Sequence, residues 1–455
     1  MRSLSVRRLP GRAGVIAVAL AAGSAWYAAA TPAGAATAGA ASATGGVSTT
    51  PANGTPQLAS ASGKGTQKVR QLVKCGSLMY AVGDFKSITQ AGHTHTRNGI
   101  FSFRATAPYT LSKMLVGVNG EVDSIAFTSH RGCADAYIGG SFTSVHGTRA
   151  RNIAEINTST GSVVKSFGRN ANSTVHTLLG YQNHLLAGGT FTCINGYCRN
   201  YYASLNSFSG KDDGFARLKI SGRIPNDVKQ IYNQQMSHSG TEDLVEGNFT
   251  SVGGKPRQQA FLLDLSGSQA KVTSWNAPVL NDLCRPAESF YARAGAWSPT
   301  DRTVYLATTG FHLNSRQSGQ FPLTGPCDAV MAIPATRTTV SRYWTEYSGC
   351  DSYYAVAADT STVFAAGHPR WADNPNGCNH AGPGSVPDPG LQGLAADGGK
   401  VEQSGGHGIY QMSEANADDM TFTSAGLWIA SSNRFGSNMC GRVGGHTGIC
   451  LLPYR

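Results

Sequence analysis

Apolar and polar residues alternate along most of this chain, in short runs separated by glycine-rich turns. Runs such as VDSIAF (Val122–Phe127), NIAEIN (Asn152–Asn157) and SVVKSF (Ser162–Phe167) have a period of two, which predicts half-buried β-strands. No apolar pattern with the period of an α-helix continues for a useful length after residue 40. The 56 glycines and the charged fraction of 14% agree with many tight turns. The pattern therefore predicts an all-β protein.

One short segment recurs along the chain. It reads YIGGSFTSVHG at Tyr137–Gly147, and close copies begin at Ala81 (AVGDFKSI), Leu186 (LAGGTFTCING) and Leu244 (LVEGNFTSVGG). Looser copies begin at Tyr305, Phe364 and Leu427. The copies are roughly 50–60 residues apart, a spacing typical of propellers and solenoids. Each unit holds four short strands, named A to D in chain order, with the recurring segment as strand B. Seven such units predict a seven-bladed β-propeller with four-stranded antiparallel blades.

The strand pattern also predicts how the propeller closes. The A strands are expected to begin near Val69, Val122, Val175, Val228, Ser289, Tyr353 and Asp418. The last unit reaches Arg455 without a D strand, so a strand upstream of residue 67, around Gln57–Ala61, would complete it. That pairing of N- and C-terminal strands would remove an exposed sheet edge.

The glycine and phenylalanine of strand B have structural roles in this prediction. The glycine is expected to let neighbouring sheets approach closely, because it has no Cβ. The phenylalanine after it is expected to pack between adjacent blades, where burial of its ring is worth ~2 kcal/mol. Repetition in every unit indicates that the motif is structural and not catalytic.

The first 65 residues have a different composition from the rest. Residues 1–35 resemble a signal peptide, with a basic start, an apolar run at Ala13–Ala22 and a cleavage site at Ala33-Gly34-Ala35. A retained membrane anchor is the alternative, but the apolar run is short for a span. The general secretory route is favoured over twin-Arg export, since Leu9-Pro10 fits the latter poorly. Residues 36–65 are rich in Ala, Thr, Ser and Gly, which predicts a flexible tether. Residues 66–455 are predicted to form the propeller.

The cysteines support a secreted location, because disulfides persist in oxidising compartments. The positions of the cysteines within the repeat units favour pairing of cysteines in sequential order, although spacing alone leaves the connectivity open. The predicted pairs are Cys75–Cys133, Cys193–Cys198, Cys284–Cys327, Cys350–Cys378 and Cys440–Cys450. Zinc binding at Cys193 and Cys198 is the alternative for that pair, with no finger-like His or Cys partners nearby. The location is therefore expected to be extracellular, with wall association an option.

Two long loops between strands B and C are candidate binding segments. They are Phe311–Cys327 in unit five and His368–Leu391 in unit six, and binding residues concentrate on such loops. The candidate ligand-binding residues are His368, Arg370, Trp371, Asp373, His380 and Arg316. An exposed Trp371 beside Arg and Asp would suit a sugar ring or another planar ligand. The alternative is that Trp371 only packs the loop against its blade.

No catalytic residue, metal ligand or cofactor is predicted. The chain has no G-x-S-x-G, H-E-x-x-H, Walker or EF-hand motif. The function favoured by the sequence is therefore a binding module. The alternative is an extracellular lyase or hydrolase with a site at the central axis. Convergence of His368, Asp351, His407 and Arg370 on one point tests that alternative.

Charge and composition restrict the class of partner. Removal of the four arginines of the first twelve residues would lower the formal net charge of +11 to about +7. That balance suits anionic wall polymers but is also common on ordinary surfaces. Nothing in the chain shows the aromatic and basic interleaving of single-strand nucleic-acid binders. The expected partner of this monomer is a cell-wall polymer, a carbohydrate or an extracellular protein, with no nucleic acid and no membrane span after signal cleavage.

The repeat unit resembles that of a known family. The segments YIGGSFTSVHG…RNIAEINTSTG, LAGGTFTCING and VEGNFTSVGG…AFLLDLSG are similar to secreted, actinobacterial delta-60-type repeat proteins and to the unit of fungal Rax2-like surface proteins. The resemblance implies a propeller fold and a secreted or wall-associated location. It covers units one to four, whereas Thr308-Thr309-Gly310, Ala366-Gly367-His368 and Ser431-Ser432-Asn433 depart from the motif. It implies no activity, since the family lends no shared catalytic residues.

Overall fold

The computed structural model describes residues 46–59, 66–224, 227–281, 284, 290–310, 326–336, 342–412, 417–433 and 446–455. Regular structure in these residues is almost entirely β, and the single helical element among them is the short 3₁₀ turn Pro278–Asn281. All of the strands lie in the compact unit Ala33–Arg455. The all-β prediction is confirmed.

Seven antiparallel sheets form the bulk of the described chain, each with its strands in the spatial order A–B–C. In chain order, the strands are Lys68–Cys75, Leu78–Asp84 and Ile100–Arg104 in sheet 1; Glu121–Ala126, Asp135–Ser141 and Ile153–Asn157 in sheet 2; Val175–Tyr181, His184–Gly189 and Tyr202–Asn206 in sheet 3; Gln230–Met236, Glu242–Asn248, Ala260–Asp264 and Lys271–Val272 in sheet 4; Ala292–Trp297, Thr303–Thr308, Ala329–Pro334 and Trp344–Tyr347 in sheet 5; Tyr353–Ala358, Thr362–Gly367 and Leu391–Ala395 in sheet 6; and Asp419–Thr423, Gly426–Ala430 and Ile449–Pro453 in sheet 7. The A strands begin within three residues of their predicted starts.

The fourth strand is short in every sheet where the structure describes one, with two residues in sheet 4 and four in sheet 5. Sheets 4 and 5 have a D strand paired with strand C. In sheets 1, 2, 3 and 6 it is reduced to one antiparallel bridge beside strand C, at Phe103–Leu111, Ile156–Val163, Leu205–Asp212 and Leu394–Val401. Four-stranded blades are thus only partly realised among the described residues.

The loops that connect the strands contain short hairpins. Most of them lie in the connections between strands B and C, where the recurring Thr/Ser turn reverses the chain. Their strands are Gln57–Leu58, Ser87–Gln90, His93–Thr96, Ser144–Val145, Thr148–Arg149, Cys193–Ile194, Tyr197–Cys198, Ile220–Ser221, Ser251–Val252, Lys255–Pro256, Trp371–Ala372, Val386–Pro387, Gln403–Ser404 and His407–Gly408.

The segment before sheet 1 runs along strand C of sheet 7. Val47 forms an antiparallel bridge with Tyr454, and the Ala52 amide donates to the Leu451 carbonyl at 2.8 Å. The residues that cover this edge therefore lie upstream of the predicted Gln57–Ala61. Residues 57–58 pair instead with strand Ser87–Gln90 of the first B–C loop.

The ordered segment 46–59 corrects the boundary of the predicted tether. Val47, Thr55 and Leu58 are buried against the sheets. Composition concealed this because small residues dominate the stretch. Its buried large apolar residues, Val47 and Leu58, are few and far apart in the sequence. Residues 36–45 and 60–65 of the predicted tether lie outside the described part, as does the predicted signal segment.

Neighbouring sheets pack through apolar clusters. Strand A of each sheet contacts strand A of the next, and strand A of sheet 7 contacts that of sheet 1. A buried cluster fills each of these interfaces among the described residues. The motif phenylalanines Phe85, Phe142, Phe191 and Phe249 are at most 2% exposed and belong to four of the clusters. Packing of this ring between adjacent sheets is therefore confirmed.

Four of the predicted disulfides are present. They are Cys75–Cys133, Cys193–Cys198, Cys284–Cys327 and Cys350–Cys378, with Cα–Cα distances of 5.7, 3.9, 5.7 and 4.6 Å. The first joins the A–B turns of sheets 1 and 2 and so links two neighbouring sheets. For the fifth predicted pair, Cys440 lies outside the described residues, and Cys450 is disulfide-bonded.

The two glycines of the strand B motif have different roles. A Cβ on Gly139 would lie 2.7 Å from the Cγ1 atom of Val175 in sheet 3, so this glycine allows the neighbouring sheet to approach, as predicted. A Cβ on Gly140 would lie 2.2 Å from the carbonyl oxygen of Glu121 in strand A of its own sheet. The same carbonyl approach, at 2.1 to 2.2 Å, occurs at Gly83, Gly189, Gly247 and Gly367. The second glycine thus accommodates a displaced strand A.

Candidate functional site

Strand A carries a β-bulge at the same place in six sheets. The register with strand B slips by one residue, and the extra residues are Arg70, Asp123, His176, Tyr232, Arg293 and Tyr354. In sheet 7, Asp418 directly precedes Asp419, the first residue of strand A, and takes the equivalent position. Bulges re-aim side chains and are common beside active sites. We call these seven side chains the bulge residues.

All seven bulge residues line one cavity of about 470 Å³. Its walls come from strand A of every sheet, from residues directly before strand A and from Ser141 of strand B in sheet 2, and we call it the shared cavity. The bulge residues are two arginines, two aspartates, two tyrosines and one histidine, so a structural repeat presents different chemistry from each sheet. Convergent polar groups in a concave site are the expected form of a ligand-binding pocket.

One side of the shared cavity is an ion-pair network around Arg70. Its Nε atom lies 2.5 Å from Glu121 Oε1 and 3.9 Å from Asp123 Oδ1, and its Nη1 atom lies 2.6 Å from Asp418 Oδ1. Burial alone would lower the pKa of Arg70, but these three carboxylates outweigh it and raise the pKa. Arg70 is therefore a permanent cation that neutralises part of the acidic wall.

His176 and Asp419 extend the same side of the cavity. The Nδ1 atom of His176 lies 3.0 Å from Asp123 Oδ2, which orients the imidazole ring. Asp419 Oδ2 accepts the Leu72 amide at 3.0 Å. Burial raises the pKa of Asp419 to about 6. The carboxylates of Asp123 and Asp419 thus already form hydrogen bonds with groups of the protein.

The opposite side of the shared cavity is aromatic. The rings of Tyr232 and Tyr291 stack with centroids 4.2 Å apart and planes 20° apart, and the Arg293 guanidinium carbon lies 5.4 Å from the Tyr232 centroid. The Tyr232 hydroxyl donates to Asp227 Oδ2 at 2.7 Å. Burial raises the pKa of Tyr232, and the neighbouring Tyr291 and Asp227 raise it further, so the phenol remains protonated.

The predicted loop residues form a cluster on Asp351. Arg370 Nε and Nη2 contact the two Asp351 carboxylate oxygens at 2.8 Å each, and His368 Nδ1 lies 3.8 Å from Asp351 Oδ1. Burial would raise the pKa of Asp351, but the nearby His368 and the hydrogen bonds from Arg370 outweigh it and hold the pKa below its usual value. A bidentate, charged pair is suited to fixing the loop.

The other predicted residues are more dispersed. The Arg370 guanidinium carbon lies 4.6 Å from the Trp371 ring centroid, while Asp373 binds Lys400 Nζ at 2.8 Å, away from the Asp351 cluster. The side chain of His380 is exposed. Arg316 lies outside the described residues. The half-buried Trp371 is thus covered by Arg370 and does not present a bare ring to solvent.

Three of the four residues proposed for an axial enzyme site come together, and the fourth does not. His368, Asp351 and Arg370 form the loop cluster, whereas His407 is exposed in the hairpin of Gln403–Ser404 with His407–Gly408. The loop cluster borders the shared cavity, because the His368 ring lies 5.4 Å from that of the bulge residue Tyr354. His368 thus lies beside the shared cavity, and none of the described residues among the predicted ligand-binding set lines it.

No group of three His, Cys, Asp or Glu side chains suited to a metal ion occurs in the part of the chain that the structure describes. In that same part, no helix has the length and apolar character needed to cross a membrane.

Comparison with known proteins gives a remote likeness only. No protein-family model matches the chain, and no curated protein matches it. Among solved structures, it is similar to an extracellular domain assigned to a one-component system, BT4673, from B. thetaiotaomicron (12% identity, TM-score 0.49), with 90% of this chain and 40% of that chain covered. It is also similar to the WD40 β-propeller domain of Doa1 (12%, TM-score 0.45, 85% and 96% covered) and to the computationally designed Ika8 protein (9%, TM-score 0.44, 87% and 98%). The chain thus spans 40% of the BT4673 domain, and likeness at this level says nothing about a ligand.

Proposed function

We propose that this chain is a secreted seven-bladed β-propeller that binds a carbohydrate or wall polymer in the shared cavity. Seven sheets with contacts from each strand A to the next, including from the seventh to the first, support the propeller. Residues 47–52 along strand C of sheet 7 support closure by the two ends of the chain. Four disulfides support an oxidising, extracellular location.

The observation that carries the proposal is the set of bulge residues around one cavity. The bulge recurs with the structural repeat, but its side chain differs from sheet to sheet, so the repeat itself does not require these polar groups. Stacked tyrosines beside Arg, His and Asp supply the flat apolar contact and the hydrogen-bonding groups that sugars require. The loop cluster at His368 would form the rim of the site.

The test compares ligand binding by the secreted protein and two tyrosine variants. A glycan and wall-polymer array identifies a ligand, and titration calorimetry measures its Kd. Tyr291→Ala removes half of the stacked pair and is expected to weaken binding at least about tenfold. Tyr343→Ala, at a tyrosine that is 58% exposed and absent from the cavity lining, is the matched control and should bind like the wild type. Unchanged binding by Tyr291→Ala would exclude the shared cavity as the site.

A second candidate function, an extracellular lyase or hydrolase, is favoured by one contact. The hydrogen bond from His176 to Asp123 holds an imidazole at the cavity wall in the way that suits a general base. Asp351 is a poorer choice, because both of its oxygens are held by Arg370. The test is release of reducing ends from any polymer that binds. His176→Gln should abolish release while binding persists, and a wild-type protein that binds without cleaving supports the binding function alone.

A further inference from the structure

Arg293 is the one charged bulge residue without an opposite charge in the described part of the chain. The other charged bulge residues are engaged: Arg70 with Asp418, and Asp123 with Arg70 and His176. Arg293 has a cation–π contact with Tyr232, and it forms no ion pair with the residues that the structure describes. A half-buried guanidinium that lacks a carboxylate partner can form charge-assisted hydrogen bonds with an anionic group of a ligand.

The surroundings of Arg293 restrict what that anion is attached to. The guanidinium lies beside the stacked pair Tyr232 and Tyr291, which offers a flat surface about the size of one sugar ring. The His176 ring lies 6.3 Å from the Tyr232 ring, with the two planes 30° apart. A guanidinium and an imidazole therefore both lie near the Tyr232 ring, where each could contact a sugar bound at the tyrosine pair.

The acidic groups that face the cavity do not remove this preference. Glu121, Asp123 and Asp418 surround Arg70, and Asp419 accepts a backbone amide. The carboxylate nearest the tyrosine pair, Asp227, accepts the Tyr232 hydroxyl. Each of these carboxylates thus has at least one protein donor, although Asp418 Oδ2 has none, whereas Arg293 has no carboxylate partner among the described residues.

We propose that the shared cavity recognises a saccharide that carries a carboxylate, such as a uronic acid residue, with the carboxylate on Arg293 and the sugar ring over Tyr232 and Tyr291. This inference rests on the proposed carbohydrate-binding function and names its ligand class. Planar guanidinium and carboxylate groups form paired hydrogen bonds, so Arg293 would select a carboxylate over a neutral hydroxymethyl group.

The test uses tetrasaccharides of galacturonic, glucuronic and mannuronic acid, each paired with its carboxyl-reduced form. Titration calorimetry measures binding to the secreted wild-type protein and to Arg293→Gln, Arg293→Lys and Arg302→Gln. Arg302 is an exposed arginine of the same sheet outside the cavity lining, so its variant is the matched control. Thermal midpoints confirm that each variant is folded.

The expected result is binding of at least one acidic tetrasaccharide and at least about tenfold weaker binding of its reduced form. Arg293→Gln should weaken binding of the acidic form to a similar extent and leave the reduced form unchanged. Arg293→Lys should be intermediate because it keeps the charge without the paired geometry, and Arg302→Gln should match the wild type. Equal binding of both forms, or no effect of Arg293→Gln, would overturn the inference while the loss caused by Tyr291→Ala keeps the binding function. No binding of any acidic tetrasaccharide would also overturn it, and the array result for Tyr291→Ala would then decide the function separately.

Discussion

The Gly140→Ala variant tests the link between the repeated glycine and the bulge. The added Cβ would lie 2.2 Å from the Glu121 carbonyl oxygen and 2.9 Å from the Val122 Cα, both backbone atoms, whereas ordinary contacts begin at 3.4 Å. The two strands must therefore separate by about 1.2 Å or strand A must lose its bulge. Overpacking of this kind costs 1–3 kcal/mol, and we expect about 3 kcal/mol here because no side chain can rotate away.

The assay is the thermal midpoint by calorimetry, with the ligand Kd as a second readout. A loss of about 3 kcal/mol should lower the midpoint by at least about 4 °C. A straightened strand A would also turn Asp123 away from His176, so ligand binding should weaken as well. Gly117→Ala is the control, since Gly117 is exposed with nothing within 4 Å of its Cβ position, and it should change stability by less than about 0.5 kcal/mol. Equal midpoints for Gly140→Ala and Gly117→Ala would refute the reasoning.

Three further predictions concern pH and the disulfides. Because the folded-state pKa of Asp351 is lowered, its stabilising pairing should be lost as pH falls below about 4, and Asp351→Asn should flatten the acid limb of the midpoint–pH curve. An unaltered acid limb would contradict this. The folded-state pKa of Asp419 is raised to about 6, so the protonated carboxyl contributes its full stabilisation below about pH 4 and loses it as the pH rises through 6. Asp419→Asn should remove this decline in the free energy of unfolding, which is at most about 3 kcal/mol. Removal of Cys75–Cys133 by two serines should cost about 4 kcal/mol in urea unfolding and removal of Cys193–Cys198 about 2, because the bridges span 58 and 5 residues; equal losses would argue against a chain-entropy origin.

The fold was largely predictable from the sequence because its signal repeats. Period-two alternation and the Gly-Phe segment located strands A and B, and the repeat grid also gave four disulfides. The edge strand of sheet 7 was misplaced, since Val47 is a single apolar residue in a stretch that otherwise reads as a tether. The fourth strands were overestimated because one bridge, as at Ile156–Val163, leaves the same apolar pattern as a short strand.

The candidate site was less predictable for a physical reason. Alternation places residues on the two faces of a strand, and a bulge breaks that alternation at one position. His176 and Arg293 each follow an apolar residue at the start of strand A, and nothing in their local sequence shows that they share a cavity. Only comparison of the seven units at the bulge position, which the second glycine marks in sheets 1, 2, 3, 4 and 6, would have placed them together. The loop residues Arg370 and His368 were proposed as candidates because long loops are visible in the sequence.

A crystal structure of the protein with a bound acidic tetrasaccharide tests the central claim most directly. The account predicts seven sheets around one cavity, with a sugar ring over Tyr232 and Tyr291 and its carboxylate within hydrogen-bond distance of Arg293. A ligand seated only on the loop that carries Trp371, or side chains of Asp123, His176 and Arg293 that point away from a common space, would contradict it.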